Sequence, residues 1–217
     1  MLFQKHKQVL DAALAACSAR HYWSPFIESP SRQLHPKDAH ANGKAAFDAL
    51  LQTPFSLDQP AEIGRTGHEV SPYTQRPLGI DYPKIDVDMA MQASTDARLS
   101  WQQVPPEERV GLCFEMAFAL EKQCFTNAYA TMHTAGQAFL MAYSGSGPNA
   151  LDRGVEALAY AHKAMADVPN SALWSKTFGR AGEVTLEKSY RLVPRGTAVV
   201  VCCATFPMWN AYPAIFA

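Results

Sequence analysis

The chain opens with apolar side chains spaced as on one face of a helix. They fall at i, i+3, i+4 and i+7 and are Leu10, Ala13, Leu14 and Cys17. This spacing predicts a helix through about the first twenty residues, with that face packed on another element. Frequent prolines predict an extended connector over residues 22–36 and irregular structure over 54–83, and a shorter helix is expected between them over 37–51.

Residues 86–168 carry the signals of successive helices. Asp86 is expected to cap a helix over 87–102, because its carboxylate can accept from the free amides of the first turn. Pro105 and Pro106 are expected to open the next helical run, and Gly136 is expected to break it. A stop at 145–148 precedes the last helix, which ends near 168–169. The expected buried faces are Leu112, Met116, Ala119 and Leu120, and then Leu151, Val155, Leu158, Ala159 and Met165.

The pattern changes to that of strands from residue 183 onward. Apolar residues alternate over 183–193, which predicts a half-buried strand or strand pair. Residues 197–203 (Thr-Ala-Val-Val-Val-Cys-Cys) form a continuous apolar run, which is typical of a strand buried on both faces of a parallel sheet. No later strand is present to pair with it, so we expect the sequence to be incomplete.

Composition and charge narrow the class of protein. The chain has 217 residues, 48% of them hydrophobic, which suffices for a real core. With 19 Lys and Arg scattered among 20 Asp and Glu, no basic surface for nucleic acid is expected. The five cysteines lack a CxxC pair and the seven histidines lack an HxxxH pair, so neither disulfides nor a metal is expected. The apolar stretch 9–17 is too short to span a membrane, and we expect a cytoplasmic protein.

Two sets of motif residues resemble the aldehyde dehydrogenases. The first is Trp-Gln-Gln-Val-Pro-Pro-Glu-Glu-Arg at 101–109, followed by a long helix and by Thr-Ala-Gly-Gln at 134–137. The second is Pro-Arg-Gly at 194–196, the apolar run, and Phe-Pro-Met-Trp-Asn-Ala-Tyr-Pro at 206–213. The residue types at 132–139, 147–154 and 205–210 resemble those of the phenylacetate-degradation branch of that family. Met208 and Gln137 depart from the family pattern, which has proline and lysine there, and Gln137 is therefore assigned no site role.

The resemblance, which extends from about residue 70 to the end, implies an α/β fold. The chain would be the N-terminal part of the aldehyde dehydrogenase fold, mostly helical, with a β-hairpin and the first strand of a Rossmann-like parallel sheet. Its expected divisions are N-terminal helices and connector (1–83), helices of the cofactor domain (84–180), an oligomerisation hairpin (181–196), and the first strand with the Trp-Asn turn (197–217). The parent enzyme would be a homo-oligomer that uses NAD or NADP to oxidise a small aldehyde, which the branch implies is a CoA-linked semialdehyde from ring opening.

Asn210 is the candidate catalytic residue. Negative charge builds on the carbonyl oxygen during aldehyde oxidation, and a fixed amide N–H suits that charge. A turn after a parallel strand is also where open α/β sheets bind ligands. The alternative is an ordinary helix N-cap, a position that asparagine favours. The resemblance further implies that Thr205, Phe206 and Trp209 lie along the nicotinamide cofactor, with plain turn packing as the alternative.

The two neighbouring cysteines and the missing catalytic motifs complete the sequence-based expectations. Cys202 and Cys203 are expected to be buried, inert thiols of the strand, because burial raises the pKa of a thiol. The nucleophilic cysteine and the glutamate base of the family belong to motifs that these residues do not include, so the chain alone is expected to be inactive. The competing hypothesis is a non-catalytic helical interaction module, which explains the helices and leaves the Trp-Asn and Tyr-Pro motifs unexplained.

Overall fold

The computed structural model describes residues 1–59 and 61–217, which form a helical body with two small antiparallel sheets. The helices are α1 (Leu2–Ala19), α2 (Ala39–Asp48), α3 (Val87–Trp101), α4 (Pro106–Glu121), α5 (Cys124–Ala135), α6 (Phe139–Ser146), α7 (Pro148–Ala166) and α8 (Pro207–Phe216). The strands are β1 (Glu62–Thr66), β2 (Tyr82–Ile85), β3 (Ser171–Thr177) and β4 (Glu183–Ser189).

Helices α1, α4 and α7 pack on one another and form the main core with α5, α6 and α8. The predicted face of α1 is confirmed, since Leu10 and Ala13 are buried. The face of α7 is confirmed in the same way by Leu151, Val155 and Leu158. These apolar side chains leave water together, which is the main stabilising contribution to the helical body.

The predicted buried face of α4 is wrong. Leu112 and Met116 are 38% and 44% exposed, and the buried residues are instead Val110, Gly111, Phe114 and Ala117. Helix α4 carries apolar residues on more than one face, so periodicity alone could not choose between them. A close approach decides the choice, because a Cβ on Gly111 would lie only 2.4 Å from the backbone nitrogen of Phe3 in α1.

Local signals placed several helix ends correctly. The Asp86 side chain accepts a hydrogen bond of 2.9 Å from the backbone N–H of Met89 and caps α3. Gly136 ends α5 with φ of 73°, a left-handed conformation that glycine adopts without strain. Between α6 and α7 the predicted stop is a single residue, Gly147.

Two strand pairs differ from the sequence prediction. Part of 54–83, predicted to be irregular, forms β1 and pairs with β2, in which Pro83 sits opposite Arg65. A two-stranded sheet has only edge strands, where proline is tolerated. Strand β4 confirms the strand predicted from residue 183, and its partner β3 lies after the predicted end of the last helix (168–169), where no strand was expected. The predicted half-burial is wrong, because all residues of β3 and β4 are exposed and no described element covers the hairpin.

The strand expected over 197–203 does not form in this chain. These residues have no helix or strand, and Val199 and Val201 are 78% and 87% exposed. A central parallel strand needs neighbours on both edges for its backbone hydrogen bonds, and no described strand lies beside it. The expected burial of Cys202 and Cys203 is wrong for the same reason, since both thiols are exposed. Among the described residues, no helix is long and apolar enough to cross a membrane.

Candidate functional site

The Trp-Asn turn forms the start of α8. Pro207 occupies the first turn of this helix, where its missing N–H costs nothing, and Phe206 is the N-cap. Asn210 lies inside the helix, with its backbone N–H donating to the Phe206 carbonyl at 3.3 Å. The N-cap alternative for Asn210 is therefore wrong, because the cap position is four residues earlier. The side chain of Asn210 does not cap α8 and is exposed.

Helix α8 is held on α7 by a close contact at Gly154. A Cβ at this position would lie 2.7 Å from the ring of Phe216, and Phe216 and Tyr212 are both buried there. Burial raises the pKa of Tyr212 to about 12, so its phenol stays neutral. This packing gives the start of α8 a defined place against the helical body.

A cavity of about 490 Å³ lies where α6 ends and α7 and α8 begin. Its lining residues are Met141, Ser144, Gly145, Asn149, Cys203, Phe206, Trp209 and Asn210. The lining is mostly apolar, and the described residues contribute no charged group to it. Three of the four candidate site residues, Phe206, Trp209 and Asn210, thus share one cavity, whereas Thr205 does not line it.

Cys203 orients the carboxamide of Asn210. Its thiol donates to Asn210 Oδ1 at 2.8 Å, and its sulfur accepts the Phe206 N–H at 3.2 Å. The carboxamide oxygen is thereby engaged, while the amide nitrogen has no hydrogen-bond partner among the described side chains. An amide held in this way can donate to an oxygen that enters the cavity. Sequence reasoning missed this arrangement, because it placed Cys203 inside a strand.

Two further groups of the site were also missed. The buried Gln137 side chain donates to the backbone carbonyl of Thr205. Asn149, in the first turn of α7, has a buried Oδ1 with no hydrogen-bond partner among the described residues. The absence of a side chain at Gly145 makes room for Phe206, since a Cβ there would lie 2.6 Å from two ring carbons. No signal in the sequence pointed to Asn149.

Comparison with known proteins indicates the class. No family model and no curated protein matches the chain. Among solved structures, an NAD-dependent aldehyde dehydrogenase from Burkholderia multivorans is 42% identical, with a TM-score of 0.95 over 100% of this chain. This chain spans 38% of the length of that enzyme.

Two more distant structures share the fold. A mutant 1-pyrroline-5-carboxylate dehydrogenase from Thermus thermophilus is 14% identical (TM-score 0.55) and matches 71% of this chain and 32% of its own. Proline utilization A from Bdellovibrio bacteriovorus is 16% identical (TM-score 0.54) and matches 72% of this chain and 18% of its own. The chain therefore has the fold of part of an aldehyde dehydrogenase, which confirms the predicted fold class and supports the predicted superfamily.

Proposed function

We propose that this chain supplies one side of the active site of an NAD(P)-dependent aldehyde dehydrogenase that oxidises an aldehyde to an acid. The observation that carries the proposal is the Asn210 amide nitrogen, which is unpaired at a cavity walled by Phe206 and Trp209. The 42% identity to the Burkholderia enzyme over the whole chain supports the same class.

Asn210 would act on the carbonyl oxygen of the aldehyde. Charge grows on this oxygen as the carbonyl carbon is attacked, and a donor that is already oriented lowers the energy of that state without reorganising. Cys203 supplies this orientation by holding Oδ1 at 2.8 Å, so that the nitrogen is the end left to donate. The nucleophile and the general base would come from residues beyond those described.

The cavity suits the nicotinamide end of the cofactor. Phe206 and Trp209 offer flat apolar surfaces against which an aromatic ring can lie. The Thr205 backbone, held by Gln137, borders the same turn. A nicotinamide cofactor bound here would supply the hydride acceptor for aldehyde oxidation. These residues would hold and orient the ring, and we expect the phosphates and the choice between NAD and NADP to depend on other residues.

The finer parts of the proposal rest on the motif residues. The stretches 132–139, 147–154 and 205–210 support the phenylacetate-degradation branch, and with it a CoA-linked semialdehyde released by ring opening. The exposed β3–β4 hairpin supports assembly into a homo-oligomer, since its apolar residues Leu173, Leu186 and Trp174 are at least partly open to solvent. We expect the enzyme to be cytoplasmic.

The test compares two lengths of the protein. The 217-residue chain, mixed with NAD or NADP and a panel of aldehydes, is expected to give no reduced cofactor by absorbance. The product of the complete open reading frame is expected to turn over, and Asn210→Ala in it should lower kcat by about 10²–10³, the usual cost of losing one oxyanion donor. The control Asn42→Ala removes an exposed asparagine of α2 and should leave kcat unchanged.

Three outcomes would count against the proposal. Turnover by the 217-residue chain would contradict the assigned roles, and full activity of Asn210→Ala would contradict the oxyanion role. A stop codon directly after Ala217, together with no turnover, would instead favour the helical interaction module.

A further inference from the structure

We infer that Gln137 is a positioning residue of the proposed site, which holds the turn that carries Phe206 and Asn210 by binding the Thr205 carbonyl. The inference rests on the proposed function for its catalytic consequence, whereas its structural part stands on the contacts alone. The sequence motifs alone assign Gln137 no site role, because the aldehyde dehydrogenases that the chain resembles have lysine at this position.

Gln137 is fixed in place by its surroundings. It lies between α5 and α6, directly after Gly136, and only 8% of its surface is exposed. The Tyr73 hydroxyl donates to its backbone carbonyl at 2.6 Å, which anchors the Gln137 main chain. The side chain therefore projects from an anchored backbone, and burial limits its choice of rotamers.

The polar contacts of the Gln137 side chain lead to the site. Its Nε2 donates to the Thr205 carbonyl, 68 residues away in sequence. Its Oε1 is buried and has no hydrogen-bond partner among the described residues. A buried Oε1 without a partner costs stability, and such costs are expected at functional sites. The hydrogen bond from Nε2 to the Thr205 carbonyl is therefore the one polar contact that the Gln137 side chain makes among the described residues.

Cys203 also binds within the turn, but Cys203 and the turn belong to the same irregular segment, so these bonds do not tie the turn to the helical body. Residues 190–206 belong to no helix or strand, so the backbone there lacks the ladder of bonds that would set its course. The Thr205 carbonyl directly precedes Phe206, whose own carbonyl receives the Asn210 N–H at 3.3 Å. A shift at Thr205 would therefore move the N-cap of α8 and the carboxamide that follows it. Gln137 adds a hydrogen bond between the helical body and the first turn of α8, beside the packing of Phe206 on Gly145.

The test uses matched glutamine-to-methionine changes. Gln137→Met keeps the length of the side chain and removes its donor, and Gln137→Glu is a second variant that keeps the shape. The control is Gln52→Met, because Gln52 Nε2 also donates to a backbone carbonyl, that of Leu78 at 3.0 Å, far from the turn in sequence. Far-UV circular dichroism checks that each variant is folded as the parent is.

Hydrogen exchange measures the structural claim. In the complete protein, amides of 203–210 should exchange roughly fivefold faster in both Gln137 variants, the factor for one ordinary hydrogen bond, and should be unchanged in Gln52→Met. The dissociation constant for NAD should rise by a similar factor, roughly fivefold, in the Gln137 variants only. A merely structural role for Gln137 would lower the thermal stability of both Gln137 variants without this local pattern.

The outcomes separate the two proposals. Unchanged exchange at 203–210 in both Gln137 variants overturns the inference, whatever the parent protein does with aldehydes. If both Gln137 variants exchange faster there but the parent protein neither binds NAD nor oxidises aldehydes, the proposed function is overturned. The structural role of Gln137 is then still supported. Faster exchange with unchanged NAD binding overturns the positioning role in catalysis.

Discussion

Replacing Gly43 by alanine tests how closely α2 and α5 approach each other. Gly43 is buried in the middle of α2, and a Cβ there would lie 2.4 Å from the Cβ of Phe125, 2.9 Å from its carbonyl carbon and 3.1 Å from the backbone nitrogen of Thr126. Carbon atoms in good contact are about 3.5–4.0 Å apart. The two backbones would have to separate by about 1 Å to accept the methyl group.

Two opposing effects set the magnitude for Gly43→Ala. Alanine is favoured over glycine in a helix interior by about 1 kcal/mol. Overpacking of a close contact costs about 1–3 kcal/mol, and the upper part of this range applies here because backbone atoms of α5 have to move. We therefore expect a net loss of about 1–2 kcal/mol in the free energy of unfolding. The displaced helix also carries Phe47, which is buried and stacks on His133.

Urea denaturation followed by circular dichroism measures this loss. The matched control is Ala45→Gly, an exposed position of the same helix, which should lose about 1 kcal/mol through helix propensity alone. Without a close approach of α2 and α5, helix propensity alone would make Gly43→Ala more stable than the parent by about 1 kcal/mol. That result would refute the packing argument.

Three further predictions concern pH and the cavity. Burial raises the pKa of Asp152 to about 7, despite a hydrogen bond from Ser24. Because the folded protein holds this proton more tightly than the unfolded chain, the contribution of Asp152 to the free energy of unfolding is lost as pH rises from about 4 to 7. Asp152→Asn should abolish that decline in unfolding curves. Burial lowers the pKa of His133, so stability should fall as pH drops below about 6.5, and His133→Gln should flatten this slope. Gly145→Ala should displace the Phe206 ring and weaken NAD binding several-fold by calorimetry, and unchanged binding would contradict the packing.

Much of the fold could be predicted because its signals are local. The caps at Asp86 and Gly136 and the buried faces of α1 and α7 depend on residues within one or two turns of each other. The grouping of Phe206, Trp209 and Asn210 at one cavity is local too, because they occupy the start of one helix. For such features, spacing along the chain is nearly equivalent to position in space.

Other features required contacts between distant residues. The face that α4 buries was decided by Gly111 against α1, since the helix has apolar residues on several sides. Strand β3 was missed because its identity depends on pairing with β4. The run at 197–203 has the composition of a central strand, but composition cannot supply the neighbours that a strand requires.

The sequence by itself determined most of the helices, the caps at Asp86 and Gly136, and the resemblance to aldehyde dehydrogenases, because each depends on residue types at short fixed spacings. Only the tertiary structure decided which face of α4 is buried and what holds the site. Gln137 reaches Thr205 across 68 residues, and Asn149 and Asn210 line one cavity from separate helices. Hydrogen bonds and close packing act over a few ångströms in space regardless of sequence distance, so these contacts exist only once the helices have packed.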